Sequence, residues 1–423
     1  MTAPLPDICD VLVIGGGPAG STAATLLAGR GRRVVLLDKD RHPRFHIGES
    51  LLPRNLAIFD RLGVRAQVHA LGVFKPGAEF VSDAAGAGVT FRFASGLDRR
   101  FTHCYQVPRA AFDATLLRHA ADRGVTVAEQ TRVLDAAFAP DGAALVTAAG
   151  PAGEMVRIAA RFVLDASGRD GLLAAKFGLR APDKRMNSAA VYGHFRNVEA
   201  RTGPDAGCIS VHLVADGWFW MIPLPDGIMS VGFVGGADAF KARTGGMAAL
   251  LAARVAASPS VAARMRVAEP VGEIVGTGNY SYRARAGWGE GWMLLGDAFG
   301  FLDPVFSSGV LLAMASAELG ADVADAWLDA PARGRVLARR AERRVRRAMD
   351  ELSWLIARIN DPVLRGMFLA PRNLFRMRDG LVSVLAGHFL YERPGFGLPL
   401  AAFKAAYYLA AGAARMGLRP TRP

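Results

Sequence analysis

The fold is decided by one stretch near the start of the chain, Asp10-Val11-Leu12-Val13-Ile14-Gly15-Gly16-Gly17-Pro18-Ala19-Gly20. This apolar run and glycine turn, followed by an apolar segment to Leu27, predict a buried strand, a tight turn and a helix. The glycines have the spacing G-x-G-x-x-G: Gly15 permits the turn, Gly17 lets the backbone approach a pyrophosphate, and Gly20 lets helix and strand pack closely. The N-terminus of such a helix offers free N–H groups to phosphates.

A second strand, Arg33-Val34-Val35-Leu36-Leu37-Asp38, follows the helix and ends in a carboxylate. Asp38 lies about 20 residues beyond the glycines, where this motif has a ribose-binding acid. The alternative is a glycine-rich surface turn, but strand, helix and acid together favour a dinucleotide site. The motif alone does not distinguish FAD from NAD. We expect the nucleotide to contact the turn and the end of the second strand, at Gly15, Gly17, Pro18, Ala19, Gly20, Asp38 and Lys39.

The composition indicates a basic globular protein. Of its 423 residues, 51% are hydrophobic and 21% are charged, and 51 Lys and Arg exceed 38 Asp and Glu. A chain of this length can form two or three domains with cores of their own. The basic excess favours an acidic partner or surface, although an arginine-rich composition explains it equally well. No recognised nucleic-acid-binding module accompanies the charge, so we expect no nucleic-acid partner.

The cysteines and the apolar segments indicate a cytoplasmic location. Cys9, Cys104 and Cys208 are widely spaced and include no C-x-x-C pair. We therefore expect neither disulfides nor a metal site, as in proteins of a reducing compartment. Met1–Pro6 lacks the pattern of a signal peptide. The longest clean apolar run, Ala405–Ala414, is too short for a transmembrane segment.

Several polar turns after the nucleotide motif contain further candidate site residues. Gly48-Glu49-Ser50 precedes a predicted helix around Asn55–Leu62, and its Glu49 and Ser50 either cap that helix or line the cofactor site. Lys75 is held in an extended backbone conformation by Pro76. The segment Val107-Pro108-Arg109 begins a helix that returns to the nucleotide domain, which makes Arg109 a candidate cofactor ligand.

The second half of the chain predicts a β-sheet domain and then a return to the nucleotide. Ser188–Val234 predicts antiparallel strands with a hairpin at Ala215-Asp216. A strand ending in Gly296-Asp297, with a helix beginning near Ser307, is a second flavin-type signal. Its carboxylate can bind sugar hydroxyls, and the helix directs its positive end towards the flavin ring. This favours FAD over NAD. A separate nicotinamide domain is not expected, because G-x-G-x-x-G does not recur after another strand.

Four motifs resemble those of the flavin-dependent halogenases, a family within the FAD-dependent monooxygenase superfamily. Trp218-Phe219-Trp220-Met221-Ile222-Pro223 matches W-x-W-x-I-P in full. Phe301-Leu302-Asp303-Pro304-Val305-Phe306-Ser307-Ser308-Gly309 matches F-x-x-P-x-x-S-x-G in full. Lys75 lies in the loop where the family has its catalytic lysine, and Gly48-Glu49-Ser50 is similar to the family's G-E-S. The resemblance extends from about Asp10 to about Ala326.

The resemblance implies an α/β fold with a glutathione-reductase-like Rossmann FAD domain, an inserted antiparallel β-sheet substrate domain and a C-terminal helical region. The expected FAD domain is discontinuous and comprises residues 1–75, 105–180 and 285–330. The substrate domain comprises residues 76–104 and 181–284, and the helical region comprises residues 331–423.

The resemblance also implies roles for individual residues. Trp218 and Trp220 share one face of a strand, and in the family this indole wall separates flavin from substrate and prevents direct hydroxylation. The N–H groups of Ser308 and Gly309 bind chloride or bromide at a helix start. The alternative, an ordinary helix capped by Ser307, is compatible with that role.

The implied reaction uses FAD as FADH2, supplied by a separate NAD(P)H-dependent flavin reductase, together with O2. The halide becomes hypohalous acid at the flavin, and Lys75 receives it either as a hydrogen-bond donor or by forming a chloramine. A nucleophilic amine would need a pKa lowered by partial burial, whereas a hydrogen-bonding ammonium needs no shift.

One departure from the family bears on the substrate. Halogenases of free tryptophan have a Glu where this chain has Phe306. The sequence around Phe306 is more similar to halogenases of phenols and pyrroles, several of which act on substrates tethered to acidic carrier proteins. The basic net charge suits such a partner. A predicted helix over Ala332–Leu352 has an arginine-coated face, which is either solvated or a docking surface for an acidic protein.

Two other functions remain open on the sequence alone. The first keeps the fold and makes the protein an aromatic hydroxylase or a geranylgeranyl-reductase-like oxidoreductase, although the two tryptophans argue against hydroxylation. The second is a flavin-binding protein without catalysis that docks a carrier protein through Arg335–Arg347.

Overall fold

The computed structural model describes residues 5–182, 188–241, 245–278, 281–390 and 397–416. The strands of this part of the chain are β1 Ile8–Ile14, β2 Val34–Leu37, β3 Val73–Lys75, β4 Gly77–Ser82, β5 Ala87–Arg92, β6 Cys104–Gln106, β7 Thr126–Ala128, β8 Arg132–Phe138, β9 Ala144–Ala149, β10 Met155–Asp165, β11 Arg180–Pro182, β12 Ser188–Arg196, β13 Ile209–Val214, β14 Gly217–Pro223, β15 Met229–Gly236, β16 Glu269–Gly278, β17 Tyr282–Ala284, β18 Trp288–Gly289, β19 Trp292–Leu294 and β20 Gly300–Phe301.

The α-helices are α1 Pro18–Ala28, α2 Asn55–Leu62, α3 Arg65–Leu71, α4 Arg109–Asp122, α5 Leu172–Lys176, α6 Ala237–Lys241, α7 Met247–Ala256, α8 Pro259–Arg264, α9 Gly309–Asp329, α10 Pro331–Ile356, α11 Pro362–Leu369, α12 Met377–Leu385 and α13 Gly397–Arg415. Short 3-10 helices lie at Gly296–Ala298 and Pro304–Phe306, on either side of β20.

The first large sheet is built around the nucleotide motif. Its order is β18-β19-β10-β1-β2-β7, with β9 also paired to β10 and β8 to β9. The central strand β1 runs parallel to both β2 and β10, and Ile14 pairs with Leu37 on one side and Asp165 on the other. The carboxyl ends of three strands therefore meet at the glycine turn, where α/β folds bind ligands. The predicted strand, turn and helix are confirmed, and the helix α1 extends to Ala28.

The second large sheet has seven strands in the order β16-β12-β15-β14-β13-β4-β5. The predicted hairpin between β13 and β14 is confirmed. The expectation of a purely antiparallel sheet is wrong at one pair, because β4 runs parallel to β13. Residues 83–208 separate these two strands along the chain, so no tight hairpin imposes an antiparallel arrangement on them.

The two faces of this sheet are buried against different layers. Phe219 and Met221 of β14 pack with Phe233 and the helices α7 and α8 in a core on one face. Trp218, Trp220 and Ile222 point to the opposite face, towards the first sheet. The alternation predicted for this strand is therefore present, and the indoles lie between the two sheets.

The C-terminal region consists of helices. The predicted helix over Ala332–Leu352 corresponds to the longer α10. Spacing predicts an apolar face for it, and of the residues on that face Leu337 is partly exposed and Ala341, Val345, Ala348 and Leu352 are buried. No helix in the described part of the chain combines the length and apolarity needed to cross a membrane. The three cysteines are buried free thiols. The domain boundaries given above stay a prediction.

Candidate functional site

A cavity of about 840 Å³ lies between the carboxyl edge of the first sheet and the indole face of the second. Most of the sequence-predicted site residues line it, whereas Gly20, Lys75, Gly296 and Ser308 do not. The predicted residues in its lining are Gly15, Gly17, Pro18, Ala19, Asp38, Lys39, Glu49, Ser50, Arg109, Trp218, Trp220, Asp297 and Gly309.

The three motif glycines have different surroundings. Gly15 has a φ of +101°, and a methyl group there would lie 2.4 Å from the carbonyl oxygen of Ala166. At Gly20 a methyl group would lie 1.8 Å from the Gly15 carbonyl oxygen. At Gly17 it would meet only the Arg44 guanidinium, at 3.8 Å. Gly15 and Gly20 are thus required for close packing, and Gly17 leaves open space in front of the α1 N-terminus.

The end of β2 provides a buried carboxylate beside that N-terminus. Asp38 accepts hydrogen bonds from the backbone N–H groups of Gly16 and Asp40. A carboxylate has about four lone-pair sites, so it can still accept hydroxyl donors from a ligand. Lys39 lies at the rim, where it forms an ion pair with Asp170.

Arg109 holds the Gly48-Glu49-Ser50 turn in place. Its guanidinium forms a bidentate ion pair with Asp113, at 2.8 and 2.9 Å, and donates to the Ile47 carbonyl at 2.8 Å. The sequence analysis did not single out Arg44. Its Nε and Nη1 are buried in the cavity wall without a hydrogen-bond partner, 3.5 Å from Asp40 and 3.6 Å from Asp113. Both nitrogens thus lie within ion-pair distance of these carboxylates. Nη2 is the guanidinium atom that lies nearest to the space at Gly17, and an arginine beside a glycine turn suits a phosphate.

Glu49 is buried and faces both a histidine and the cavity. Its Oε1 lies 2.6 Å from Nε2 of His194, and this hydrogen bond raises the pKa of His194. Its Oε2 is buried without a hydrogen-bond partner. The alternative that Glu49 and Ser50 cap α2 is wrong, because the helix begins after Arg54 without a side-chain cap. His194 was missed, since it comes from β12, far along the chain.

Asp297 also lines the cavity, in the 3-10 helix that follows β19. Burial raises the pKa of its carboxyl to about 6, against the lowering effect of Arg109 and Arg169. Its neighbour Gly296 packs against α9, where a methyl group would lie 3.0 Å from the Ala313 side chain.

These residues fit a flavin dinucleotide. The open space at Gly17 and the Arg44 guanidinium beside it suit a pyrophosphate, and the buried Oε2 of Glu49, which has no hydrogen-bond partner, suits a donor such as a hydroxyl. The volume of the cavity is ample for a large organic ligand.

The indole wall of Trp218 and Trp220 lines the same cavity. Their ring centroids lie 5.9 Å apart at an interplanar angle of 50°. Trp220 donates from Nε1 to the Ser230 hydroxyl at 3.1 Å. Its ring lies over Gly232 on the neighbouring strand, where a methyl group would be 2.2 Å from the indole. Both rings are buried, and their positions are fixed by the sheet.

The helix α9 begins at Gly309, with Ser308 as the N-cap residue and no side-chain cap. The expectation that Ser307 is the N-cap is wrong, because Ser307 lies in a left-handed turn with a φ of +56° before the helix. Gly309 faces open space, since a methyl group there would meet only Phe301, at 3.9 Å. The first-turn N–H groups of a helix have no intrahelical partner, so they can bind an anion from the cavity.

Lys75 is fully buried, with 1% of its surface exposed. Its Nζ donates to the Ser50 hydroxyl and the Leu51 carbonyl, both at 2.8 Å, and lies 5.3 Å from the centre of the Phe93 ring. Burial lowers the pKa of Lys75 to about 8. Phe93 also belongs to the wall of a second, smaller cavity beside the amine.

This second cavity, the Lys75 cavity, has a volume of about 10 Å³. Ile209 and Ser307 line both cavities, so they separate the Lys75 cavity from the large one. Phe306 is buried in the wall of the Lys75 cavity, where its ring lies 6.3 Å from Phe80 and 6.2 Å from Phe368. Apart from Lys75 and Ser307, the residues that line this cavity are apolar.

The chain is similar to known proteins over most of its length. A family model described as "FAD binding domain" matches residues 8–317. The tryptophan 2-halogenase of Chondromyces crocatus is 38% identical over 326 residues, which are 75% of this chain and 61% of the relative. The chain thus covers less than two thirds of that relative.

Two further proteins are similar over a larger share of their own length. The 1H-pyrrole-2-carbonyl-(peptidyl-carrier protein) chlorinase of Pseudomonas fluorescens is 32% identical over 335 residues, 73% of this chain and 74% of the relative. The structure of the myxobacterial chondrochloren halogenase CndH matches with a TM-score of 0.79 and 33% identity, over 92% of both chains.

Proposed function

This chain belongs to the flavin-dependent halogenases, and on that premise we propose that it halogenates an electron-rich aromatic ring of the phenol or pyrrole type. One observation carries the proposal: a buried lysine and an indole-lined cavity lie on opposite sides of Ile209 and Ser307. Oxidation of the halide would take place on the indole side, and transfer to the ring on the lysine side.

The large cavity would hold FAD. The N–H groups at the start of α1 and the Arg44 guanidinium would bind the pyrophosphate, Asp38 the ribose, and Glu49 and Asp297 the sugar-alcohol hydroxyls. When bound, reduced FAD supplies, with O2, the oxidant that converts halide to hypohalous acid. A separate flavin reductase would deliver the reduced cofactor, as the single dinucleotide motif suggests.

The halide would bind at the N-terminus of α9, where the N–H groups of Ser308 and Gly309 and the helix dipole attract an anion. The indole wall would keep the acceptor ring away from the oxidant. Hypohalous acid would pass Ile209 and Ser307 to reach the amine of Lys75.

Replacing Gly309 with alanine is expected to weaken halide binding selectively. The added methyl group meets no protein atom closer than 3.9 Å, so the fold should accept it. The methyl group would instead occupy the space beside the N–H groups, where the halide is proposed to bind. Crowding of the halide by this methyl group should raise the KM for bromide about tenfold. Steady-state halogenation at varied bromide concentrations measures this. An unchanged KM, with FAD affinity also unchanged, would place the halide elsewhere.

We propose that Lys75 reacts as a neutral amine. Its nitrogen would bond to the chlorine of hypochlorous acid, the Cl–O bond would break, and the hydroxide would leave as water with one amine proton, which gives the chloramine. A neutral amine has two N–H donors and one lone pair. Ser50 and Leu51 accept two hydrogen bonds, so the lone pair is left for the cavity. In the ammonium form, the third N–H would face a cavity whose other lining residues are apolar except for Ser307, which agrees with the lowered pKa of Lys75.

The pH dependence should reveal this amine. Because burial lowers the pKa of Lys75 from 10.5 to about 8, the neutral form increases as the pH rises through about 8. We expect the halogenation rate in single turnovers to rise as the pH passes about 8 and then to level off. A rate that falls over this range would favour the ammonium form as the reacting species.

The stability of the fold should depend on pH in the same direction. Between about pH 8 and 10.5 the unfolded chain binds more protons at Lys75 than the folded chain does, so the free energy of unfolding should increase with pH over this window.

Two classes of aromatic ring are candidates for the acceptor. Phe306 supplies no carboxylate near the amine, which favours phenols and pyrroles, and the pyrrole chlorinase acts on a carrier-tethered ring by its name. The similarity to a tryptophan 2-halogenase makes free tryptophan the second candidate. Incubation with a flavin reductase, chloride and a panel of free phenol, tethered pyrrole-2-carbonyl and free tryptophan distinguishes them by the chlorinated product. No chlorination of any member would refute the proposal.

A further inference from the structure

The Lys75 cavity is too small for the ring that the proposed function requires. Its volume of about 10 Å³ is about that of one water molecule, whereas cavities that bind benzene measure roughly 150 Å³. An aromatic acceptor can therefore reach the amine only if part of the wall moves. This need for an opening rests on the proposed function, because only a halogenase that uses Lys75 must bring an aromatic ring to the amine.

The part of the wall that we expect to move is helical. On one side the cavity is bounded by Ala78 and Phe80 of β4 and by Val211 of β13, which are tied together by strand pairing. On the other side it is bounded by Leu385 at the end of α12. Behind it, Phe368 of α11 packs its ring 4.6 Å from that of Phe80. Side-chain packing can separate more easily than a hydrogen-bonded sheet, so α11 and α12 are the elements that can open.

The segment between these two helices exposes apolar side chains. Leu374 and Phe375 are 63% and 70% exposed. Phe375 and Arg376 have φ values of +50° and +60°, a conformation that costs energy for residues with a side chain. Asp379 nevertheless fixes the segment, because it accepts hydrogen bonds from Asn373 and Arg376. The two apolar side chains are thus held in solvent by a fixed turn.

Arginines flank these apolar side chains along the sequence. Residues 370–379 contain three arginines and one aspartate, and Arg372 and Arg378 are exposed. A further apolar side chain, Leu398, is 74% exposed and precedes Pro399, which packs tightly against Gly380 of α12. An apolar centre with a basic rim complements an acidic protein surface that has apolar side chains of its own.

The arginine-coated face of α10 is a weaker candidate. Arg335 forms an ion pair with Glu290 and Arg346 one with Glu342 within the chain. Its outer face has one large exposed apolar side chain, Val336. Anchoring of a protein partner usually depends on a cluster of buried apolar or aromatic side chains, which α10 does not offer.

We propose that the turn formed by residues 370–378 is the docking site for the acidic carrier protein that bears the acceptor ring. Docking on this turn would pull on α11 and α12 together, since it joins them. The tethered ring would then enter beside Leu385 and reach the amine of Lys75.

The test is titration of the protein with a peptidyl carrier protein loaded with pyrrole-2-carbonyl thioester. Two variants are compared with the unmodified chain, Leu374→Ser with Phe375→Ser, and Arg372→Glu with Arg378→Glu. We expect each to raise the Kd for the carrier protein about tenfold. Val267→Ser, at a side chain that is 64% exposed elsewhere, and Arg333→Glu with Arg340→Glu on α10 should leave the Kd unchanged.

Product formation provides the second readout. Each docking variant should lose about the same factor in halogenation of the tethered ring at low carrier concentration. A small soluble pyrrole-2-carbonyl thioester enters only when the wall opens without docking, so it should be halogenated slowly, and at the same rate by the variants and the unmodified chain. Carrier binding without any halogenated product would refute the proposed function and leave the docking site standing.

Other outcomes overturn the docking site itself. These are absence of carrier binding by the unmodified chain, loss of binding only in the α10 variant, and an unchanged Kd in both docking variants. Binding to phosphatidylglycerol vesicles that the docking variants abolish would assign the turn to a membrane surface. A dimer that these variants dissociate would assign it to a second copy of the chain.

Discussion

Replacing Lys75 with methionine is expected to lower the yield of halogenated product by about 10³-fold, the range for removal of an essential catalytic group. Methionine has a similar length and is apolar, so it suits the buried site better than a cation does. The Leu51 carbonyl loses a donor, which costs about 1–3 kcal/mol, but the penalty of burying the amine disappears as well. The fold should therefore persist. FAD affinity and oxygen-dependent flavin reoxidation should stay unchanged, because Lys75 does not line the large cavity.

The control is Lys241→Met, at a lysine whose side chain is 77% exposed and which should be replaceable without effect. Hypohalous acid released into solution can be trapped by a soluble thiol in both variants. We expect the Lys75 variant to release the oxidant while the acceptor stays unmodified. A normal yield of halogenated acceptor from this variant would contradict the role of the lysine.

The second large effect is expected from Gly15→Ala. The glycine has a φ of +101°, and the new methyl group would lie 2.4 Å from the Ala166 carbonyl oxygen. The nearest atoms belong to the backbone of Ala166 and Ser167, directly after the buried strand β10, so they cannot give way cheaply. We expect FAD affinity, measured by fluorescence titration, to fall about 100-fold, because the strain of at least about 1–2 kcal/mol is added to a displaced turn.

Gly31→Ala is the matched control for the conformational strain. Gly31 has a φ of +79°, and no heavy atom lies within 4 Å of the added methyl group. The Gly31→Ala variant should therefore have a free energy of unfolding lower by about 1–2 kcal/mol, because of backbone strain alone, and should keep its FAD affinity. If both variants bind FAD equally well, the tight turn at Gly15 does not shape the cofactor site.

Much of the fold and part of the candidate site could be predicted from local sequence. The strand, turn and helix around Gly15 follow from an apolar run and three spaced glycines. The alternation in β14 places Trp218 and Trp220 on one face, because the side chains of a strand point in alternate directions. The role of Lys75 depended on family resemblance alone, since an isolated lysine is ordinarily a surface charge.

The remaining features arise from contacts between distant segments. His194 meets Glu49 because β12 crosses the loop before α2, and neither segment has a pattern that specifies the other. The burial of Lys75 depends on Phe93 and on Leu385, nearly three hundred residues apart. The parallel pairing of β4 with β13 is set by the path of the chain between the two sheets and not by either strand.

We propose that the indole wall of Trp218 and Trp220 directs oxidation to the halide and away from the acceptor ring. The most direct measurement is mass spectrometry of the acceptor after incubation of the protein with reduced FAD, oxygen, bromide and a tethered pyrrole or free phenol. We predict a brominated product with the isotope doublet of bromine, and no product when bromide is omitted. An acceptor that gains a single oxygen atom, with or without bromide, would contradict the account and identify the protein as a hydroxylase.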